Sequence, residues 1–418
     1  MSLNSFDFSK VLESEPLTHF LIVGSTGTGK TNDSKLIAYE AASRGFSVIV
    51  FDPKGEYEDV ARAVACFRDA YVLGFEDEPR FYWNPLQCPS FVNPTTWAKT
   101  FSDVLVRSYG LGEPSRRILY DSIYRLYVRH GVFEGSGVFP TLRELELEVS
   151  RFRARSRSEN DSRVALCNRL HIVGSGLTGD CLCIPRGYRI EDFEGKFVVI
   201  RLDSIPSVRD QRFIVELFLA MLWERQKALL RLGKQVKRFL IVLEEAHRYV
   251  PEERSSIFRG ERTVIELAVA EGRSCGLLFV VVDQMLSLLS RYVVANCGVK
   301  VVHRLESWVD IGVAMRVLGV VGSDLSSVER IYSMRTGEAL VSFPGFSSGL
   351  SRVDCFVMRK FVANNCDEVN RGLKSRRDFI REELERRISL RVSFLPRRPS
   401  TAPARTGNAS LHGMRGQS

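Results

Sequence analysis

Gly24-Ser25-Thr26-Gly27-Thr28-Gly29-Lys30-Thr31 has the spacing G-x-x-x-x-G-K-[ST]. Glycines at those positions let successive backbone N–H groups turn inward as a nest for anions. A helix opening there adds its positive N-terminal end. The lysine can reach the β- and γ-phosphates of a nucleoside triphosphate, and the hydroxyl after it can ligate Mg2+. Gly24 to Gly29 are therefore assigned to a phosphate cradle, Lys30 to the phosphates and Thr31 to the metal. A second constellation lies far along the chain, where the apolar run Leu240–Leu243 ends in Glu244-Glu245-Ala246-His247. Triphosphate hydrolysis needs one carboxylate near the metal and one to orient or deprotonate water. Adjacent residues at a strand end point to different sides, so Glu244 is assigned to the metal shell and Glu245 to the water. His247 reads as a partly buried structural histidine.

These groups need elements to hold them. An apolar run at 19–23 precedes the glycine-rich turn, a helical pattern follows from Lys30 to Arg44, and SVIVFD at 47–52 is a second buried strand. Further strand-like runs occur at 196–203, 239–243, 277–282, 299–303 and 338–343, with a helix at about 210–232. Buried strands alternating with helices predict an α/β fold, a mainly parallel sheet covered on both faces. Residues 76–190 read differently, with Pro79, Pro85, Pro89 and Pro94 and then helical stretches near 96–109, 115–130 and 141–156. They are taken as a helical insertion between core segments 1–75 and 191–362. Arg151, Arg153, Arg155 and Arg157 form a basic run inside it. A charged helical segment (363–395) and a disordered basic tail (396–418) complete the division.

Apolar residues make up 44% of the 418, enough for a sizeable core, and the formal net charge is +9. Twelve basic against four acidic side chains fall in 371–418, so the body before them is near neutral. Such a tail can meet nucleic-acid phosphates or simply solubilise the chain. Nine cysteines include no C-x-x-C pair, the first residues do not form a signal peptide, and no apolar run approaches a membrane span. The expectation is a soluble cytoplasmic protein with reduced thiols and no membrane insertion.

In order and wording the segments resemble the HerA–FtsK superfamily of ring-shaped DNA motors, most closely its HerA-like branch. GSTGTGKT is followed by VIVFDPKGEY (48–57), then LEEAHRYVP (243–251), AEGRSCGLLFVVVDQ (270–284) and TGEALV (336–341). The likeness covers roughly 18–60 and 195–360. It implies a RecA-like P-loop fold, ATP with Mg2+ as the nucleotide, double-stranded DNA as partner and a homo-hexamer. Glu245 matches the catalytic glutamate and Gln284 the polar sensor. Arg273 matches an arginine of the Glu-Gly-Arg phrase, which looks like a finger reaching a neighbour's γ-phosphate; Arg262 and Arg304 are rivals for that role. The chain departs from the family at Glu244, usually Asp, and at Met285-Leu286, usually Arg-Pro. Because the phosphate strand starts near residue 19, the family's N-terminal β-barrel is expected to be missing.

The leading functional expectation is an ATP-driven, helicase-like DNA translocase in DNA processing or repair, with a nuclease as one possible partner. A second is a coupling or packaging motor working with a conjugation (secretion) channel or a viral capsid. A third is an ATP-dependent oligomeric scaffold regulating an effector, with Arg209-Asp210 and the segment 374–391 as partner surfaces.

Overall fold

A computed structural model describes residues 8–13, 17–252, 261–319, 325–343 and 346–352. The segments expected to be a charged helix and a disordered tail lie outside them. Strands buried on both faces need unbroken apolar runs, and the chain supplies them. The strands are Phe20–Val23 (β1), Ser47–Asp52 (β2), Ala70–Leu73 (β3), Phe197–Arg201 (β4), Phe239–Glu244 (β5), Leu277–Asp283 (β6), Val299–His303 (β7), Glu338–Phe343 (β8) and Phe346–Arg352 (β9). They form one sheet in the order β3-β4-β2-β5-β6-β1-β7-β8-β9. From β3 to β7 all neighbours are parallel, and β7-β8-β9 is an antiparallel edge.

Alternate residues of each strand feed separate cores. Ile22, Val50, Val242 and Val280 pack on one face with α1 (Phe8–Glu13), α2 (Lys30–Ser43) and α3 (Glu58–Ala65). Leu21, Phe51, Ile241 and Phe279 face the other way. There they meet α9 (Val208–Arg231), which joins β4 to β5, and α10 (Val264–Glu271), which precedes β6; five further α-helices lie between β3 and β4.

These five helices are α4 (Pro94–Tyr109), α5 (Glu113–Arg129), α6 (Leu142–Ser150), α7 (Arg157–Val173) and α8 (Gly176–Leu182). Three of their starts are side-chain caps. Asn93 accepts the Thr95 N–H, Thr141 and Glu144 form a capping box, and Ser156 accepts the Glu159 N–H. The last cap corrects an expectation: the stretch 141–156 is not one helix. It ends at Ser150, and Ser156 starts a new one, because a serine three residues before a glutamate satisfies the free N–H groups of a fresh helix start. The remaining helices are α11 (Arg291–Asn296), α12 (Trp308–Val317) and α13 (Leu325–Ser333).

His19 ties β1 to its surroundings. Its Nδ1 accepts the Phe279 N–H at 3.1 Å and its Nε2 donates to the Val269 carbonyl at 2.7 Å, which fixes the neutral ring with its proton on Nε2. Burial lowers its pKa to about 4, aided by the Arg273 charge and opposed by the Val269 bond. A base depressed in this way contributes stability above its ordinary value of 6.5 and loses it as pH falls towards 4. His19→Gln is expected to melt below wild type at neutral pH, and to lose less melting temperature on acidification to about pH 5. Parallel melting-temperature profiles for the two proteins would show that His19 does not carry this dependence.

Candidate functional site

The phosphate-loop sequence leaves the carboxyl end of β1 and enters α2. Gly27 and Gly29 take positive φ angles of 76° and 117°, conformations that cost other residues dearly. The Ser25 N–H donates to the Arg304 carbonyl at 2.8 Å, and the Gly337 N–H donates to the Thr28 carbonyl at 2.9 Å, so the turns after β7 and before β8 brace the loop. Lys30 is nearly buried, and its ammonium donates to the Ser25 carbonyl at 2.8 Å. Burial lowers its pKa, against the pull of Glu244 and Glu245. Below the loop lies a buried pair, His303 Nε2 and Asp33 Oδ2 at 2.8 Å, with His303 Nδ1 3.1 Å from the Glu338 carbonyl.

Strand β6 separates β1 from β5, so the phosphate loop and Glu244-Glu245 stand two strand spacings apart, about 10 Å. Glu244 is buried and points towards α2. Its Oε1 accepts the Tyr57 hydroxyl at 2.5 Å and lies 3.0 Å from Ser34 Oγ, which is also 3.0 Å from the Thr31 carbonyl. Burial raises its pKa to about 7, although both hydroxyls pull it down. Thr31 and Glu244 are thus joined through Ser34.

Glu245 takes a left-handed backbone conformation, φ 52°, one of two non-glycine positive φ angles among the described residues. Such a residue persists only when its neighbours hold it. Gln284 donates to Glu245 Oε1 at 2.5 Å, and the Lys54 ammonium is ion-paired to the same oxygen. Burial pushes the Glu245 carboxyl up, but these two partners outweigh it, and the group sits below the ordinary glutamate value. Lys54 correspondingly sits above the ordinary lysine value: burial lowers it, and Glu245 more than compensates. The Gln284 carbonyl oxygen in turn accepts the Thr26 hydroxyl at 2.7 Å. A continuous chain therefore runs Thr26–Gln284–Glu245–Lys54, from the phosphate loop to the tip of the turn after β2.

That turn is built by Asp52, whose carboxylate accepts the N–H groups of Lys54, Gly55 and Tyr57 at 2.9–3.1 Å. Burial raises its pKa, against the three N–H groups. Asp283 does the same at the end of β6. It accepts the His247 and Met285 N–H groups and lies 2.9 Å from His247 Nδ1, and this contact raises the histidine's pKa.

The family model described as the central domain of the helicase HerA matches residues 11–85. A probable DNA double-strand break repair helicase HerA of Methanocaldococcus jannaschii is 21% identical over 77% of this chain and 68% of its own length. These matches make the chain similar to HerA-like P-loop ATPases. Two solved folds are similar at 16% identity. VirB4 of Thermoanaerobacter pseudethanolicus has a TM-score of 0.63 over 80% of this chain and 89% of its own. The bacterial conjugative coupling protein TrwBΔN70 has 0.59 over 85% and 89%. A P-loop fold implies nucleotide binding in general. No helix among the described residues is long and apolar enough to cross a membrane.

In this fold, residues 24–31, Glu244, Glu245 and Gln284 converge at the carboxyl ends of β1, β5 and β6. Arg273 does not join them. It is exposed just before the amino end of β6, about 20 Å away by the length of that strand. Of its rivals, Arg304 lies beside the loop and is 3.4 Å from Glu306, while the Arg262 guanidinium lies over the Tyr292 ring at 4.6 Å. Sequence reading assigned nothing to Lys54, Tyr57 or Ser34. The signal for Lys54 and Tyr57 was the Asp-Pro-Lys-Gly turn, since an aspartate that accepts the N–H groups following it presents the next side chains at a fixed height. For Ser34, one turn beyond Thr31 on α2, no such signal existed.

Proposed function

We propose that the chain hydrolyses ATP to drive movement along double-stranded DNA as a homo-hexameric ring. The observation that carries this reading is the Thr26–Gln284–Glu245–Lys54 chain, which wires a phosphate loop to a carboxylate that can take a proton from water. Nucleotide entering the loop competes for Thr26, and Gln284 passes that change to Glu245. Lys30, drawn off the Ser25 carbonyl, meets the β- and γ-phosphates. The donor set fits Mg2+: Thr31 and Glu244, linked through Ser34, offer hard oxygens of the kind it prefers. When bound, the ion neutralises charge on the phosphate oxygens. Glu245, held ionised by Lys54, orients and deprotonates the attacking water. Arg273, exposed at the far end of the sheet, serves a neighbouring subunit's nucleotide, which is why a ring is needed.

The relative named as a repair helicase supports a role in DNA processing. Delivery of DNA to a conjugation channel is the second reading, supported by a coupling-protein likeness that is one of fold.

The test is ATP turnover with and without linear duplex DNA. Turnover is expected to rise severalfold with DNA, and Arg273→Ala subunits mixed into wild type should depress it more than in proportion. Equal turnover with and without DNA over a range of salt would sink the motor reading in favour of a scaffold or timer.

A further inference from the structure

The turn between α6 and α7 reads Arg151-Phe152-Arg153-Ala154-Arg155-Ser156-Arg157, four cations and no anion. Its exposure alternates with its sequence. Arg151, Arg153 and Arg155 stand out, while Phe152 and Ala154 are half-buried and Phe152 packs on the core. The turn is fixed from both sides. Arg163 donates to the Ser150 carbonyl at 2.9 Å, the Arg155 N–H donates to Glu159 at 2.7 Å, and Ser156 caps α7.

The four guanidinium groups differ from nine other arginines among the described residues. Arg44, Arg62, Arg107, Arg116, Arg125, Arg129, Arg201, Arg225 and Arg291 all lie within 3.1 Å of a carboxylate. Among the described residues Arg151, Arg153 and Arg155 have no ion-pair partner, and Arg157, almost wholly exposed, comes no nearer than 4.0 Å to Asp161. Four like charges within seven residues, so weakly countered, repel one another. The sequence sets them in one short stretch although the body around them is near neutral.

We propose that this arginine turn is a contact site for the phosphate backbone of duplex DNA, lying in the helical insertion and separate from the nucleotide site. Guanidinium groups pair with phosphate oxygens through two parallel N–H donors. The flanking Ser150, Ser156, Ser158 and Asn160 are the polar side chains that commonly add to such contacts. An acidic protein fits less well, because the anchors of protein interfaces cluster in well-packed, desolvated pockets, whereas these arginines stand out in solvent and the turn's one aromatic is turned inward. Leu147, Val164 and Ile172, the exposed large apolar residues on the adjoining helices, lie a turn or more away along them. A site of this kind reads charge and not sequence.

The choice of duplex DNA rests on the motor reading, and the test separates the two. Binding of the full chain to a fluorescent duplex of about three helical turns is followed by anisotropy, without nucleotide, from about 50 to 200 mM salt. The variant carries Arg151→Ser, Arg153→Ser, Arg155→Ser and Arg157→Ser together. Its melting temperature should stay within about 2 °C of wild type, because exposed side chains with such weak pairing contribute little to folding. Binding should weaken at least tenfold at about 100 mM salt, equally for unrelated sequences. The slope of log K against log salt should flatten by about 2 to 4, at about 0.9 for each phosphate that the variant leaves without its cation. The basic residues of 371–418 remain, so some salt dependence persists.

An unchanged affinity and slope in the folded variant would overturn the proposal, whatever DNA does to ATP turnover. So would a wild-type chain that ignores duplex at low salt, or a variant that loses only its binding to anionic lipid vesicles. A flattened slope beside turnover that DNA leaves unchanged would uphold the site and remove the motor reading.

Discussion

Glu245→Gln is expected to lower ATP turnover by about 10²- to 10⁴-fold, the usual contribution of a placed general base, while nucleotide affinity changes little. The amide keeps the size of the side chain and its hydrogen bonding to Gln284, but it cannot take a proton. Lys54→Met gives the complementary result. In the resting site Lys54 holds Glu245 ionised against the pull of burial. Without that cation the carboxyl pKa rises, so the base is protonated up to a higher pH. The acid limb of kcat/KM should therefore move to higher pH in Lys54→Met, with activity recovered on the alkaline side. A profile that coincides with wild type would show that Lys54 does not govern the protonation of Glu245. Residual turnover in Glu245→Gln above about a tenth of wild type would show that another group activates the water.

What the sequence made legible and what it hid follow from where each interaction lives. The buried strands announced themselves, because Val, Ile, Leu and Phe in unbroken runs have few other stable arrangements in a polar chain, and β2, β7 and β8 fall on their expected residues. Strand β3 did not. AYVL has four residues, three of them half-exposed, and only pairing with β4 makes it a strand. Helix α7 was hidden by its own charge, since its first turns carry little apolar periodicity and its start lies in the Ser156 cap. In the site, the phosphate loop is local in sequence and so readable from spacing. The Thr26–Gln284–Glu245–Lys54 chain joins four separate segments of the chain, and only the strand order brings them together. The buried His303–Asp33 pair spans 270 residues, and no local pattern around either residue gives a sign of it.

That pair decides how the loop tolerates change, and Gly24→Ala is expected to destroy nucleotide binding as completely as Lys30→Ala. The two losses have different origins. Lys30→Ala removes the cation that meets the phosphates and leaves the loop in place. At Gly24 an added Cβ would lie 2.6 Å from the His303 Cβ, 2.8 Å from Thr28 Oγ1 and 3.4 Å from the Arg304 carbonyl oxygen. His303 cannot retreat, because it is fully buried and held by Asp33 and the Glu338 carbonyl. The loop must move instead, at the expense of the Ser25 N–H bond to Arg304. Forced packing of this kind costs about 1–3 kcal/mol, so Gly24→Ala should also melt at a lower temperature, whereas Lys30→Ala should not. Gly312→Ala is the control. Gly312 lies within α12, a Cβ there would meet nothing within 4 Å, and alanine is the better helix former by about 0.5–1 kcal/mol. Nucleotide binding by titration and thermal melting of the three variants separate these effects. A Gly24→Ala protein that binds nucleotide like wild type would show that the loop can leave His303 without losing its cradle.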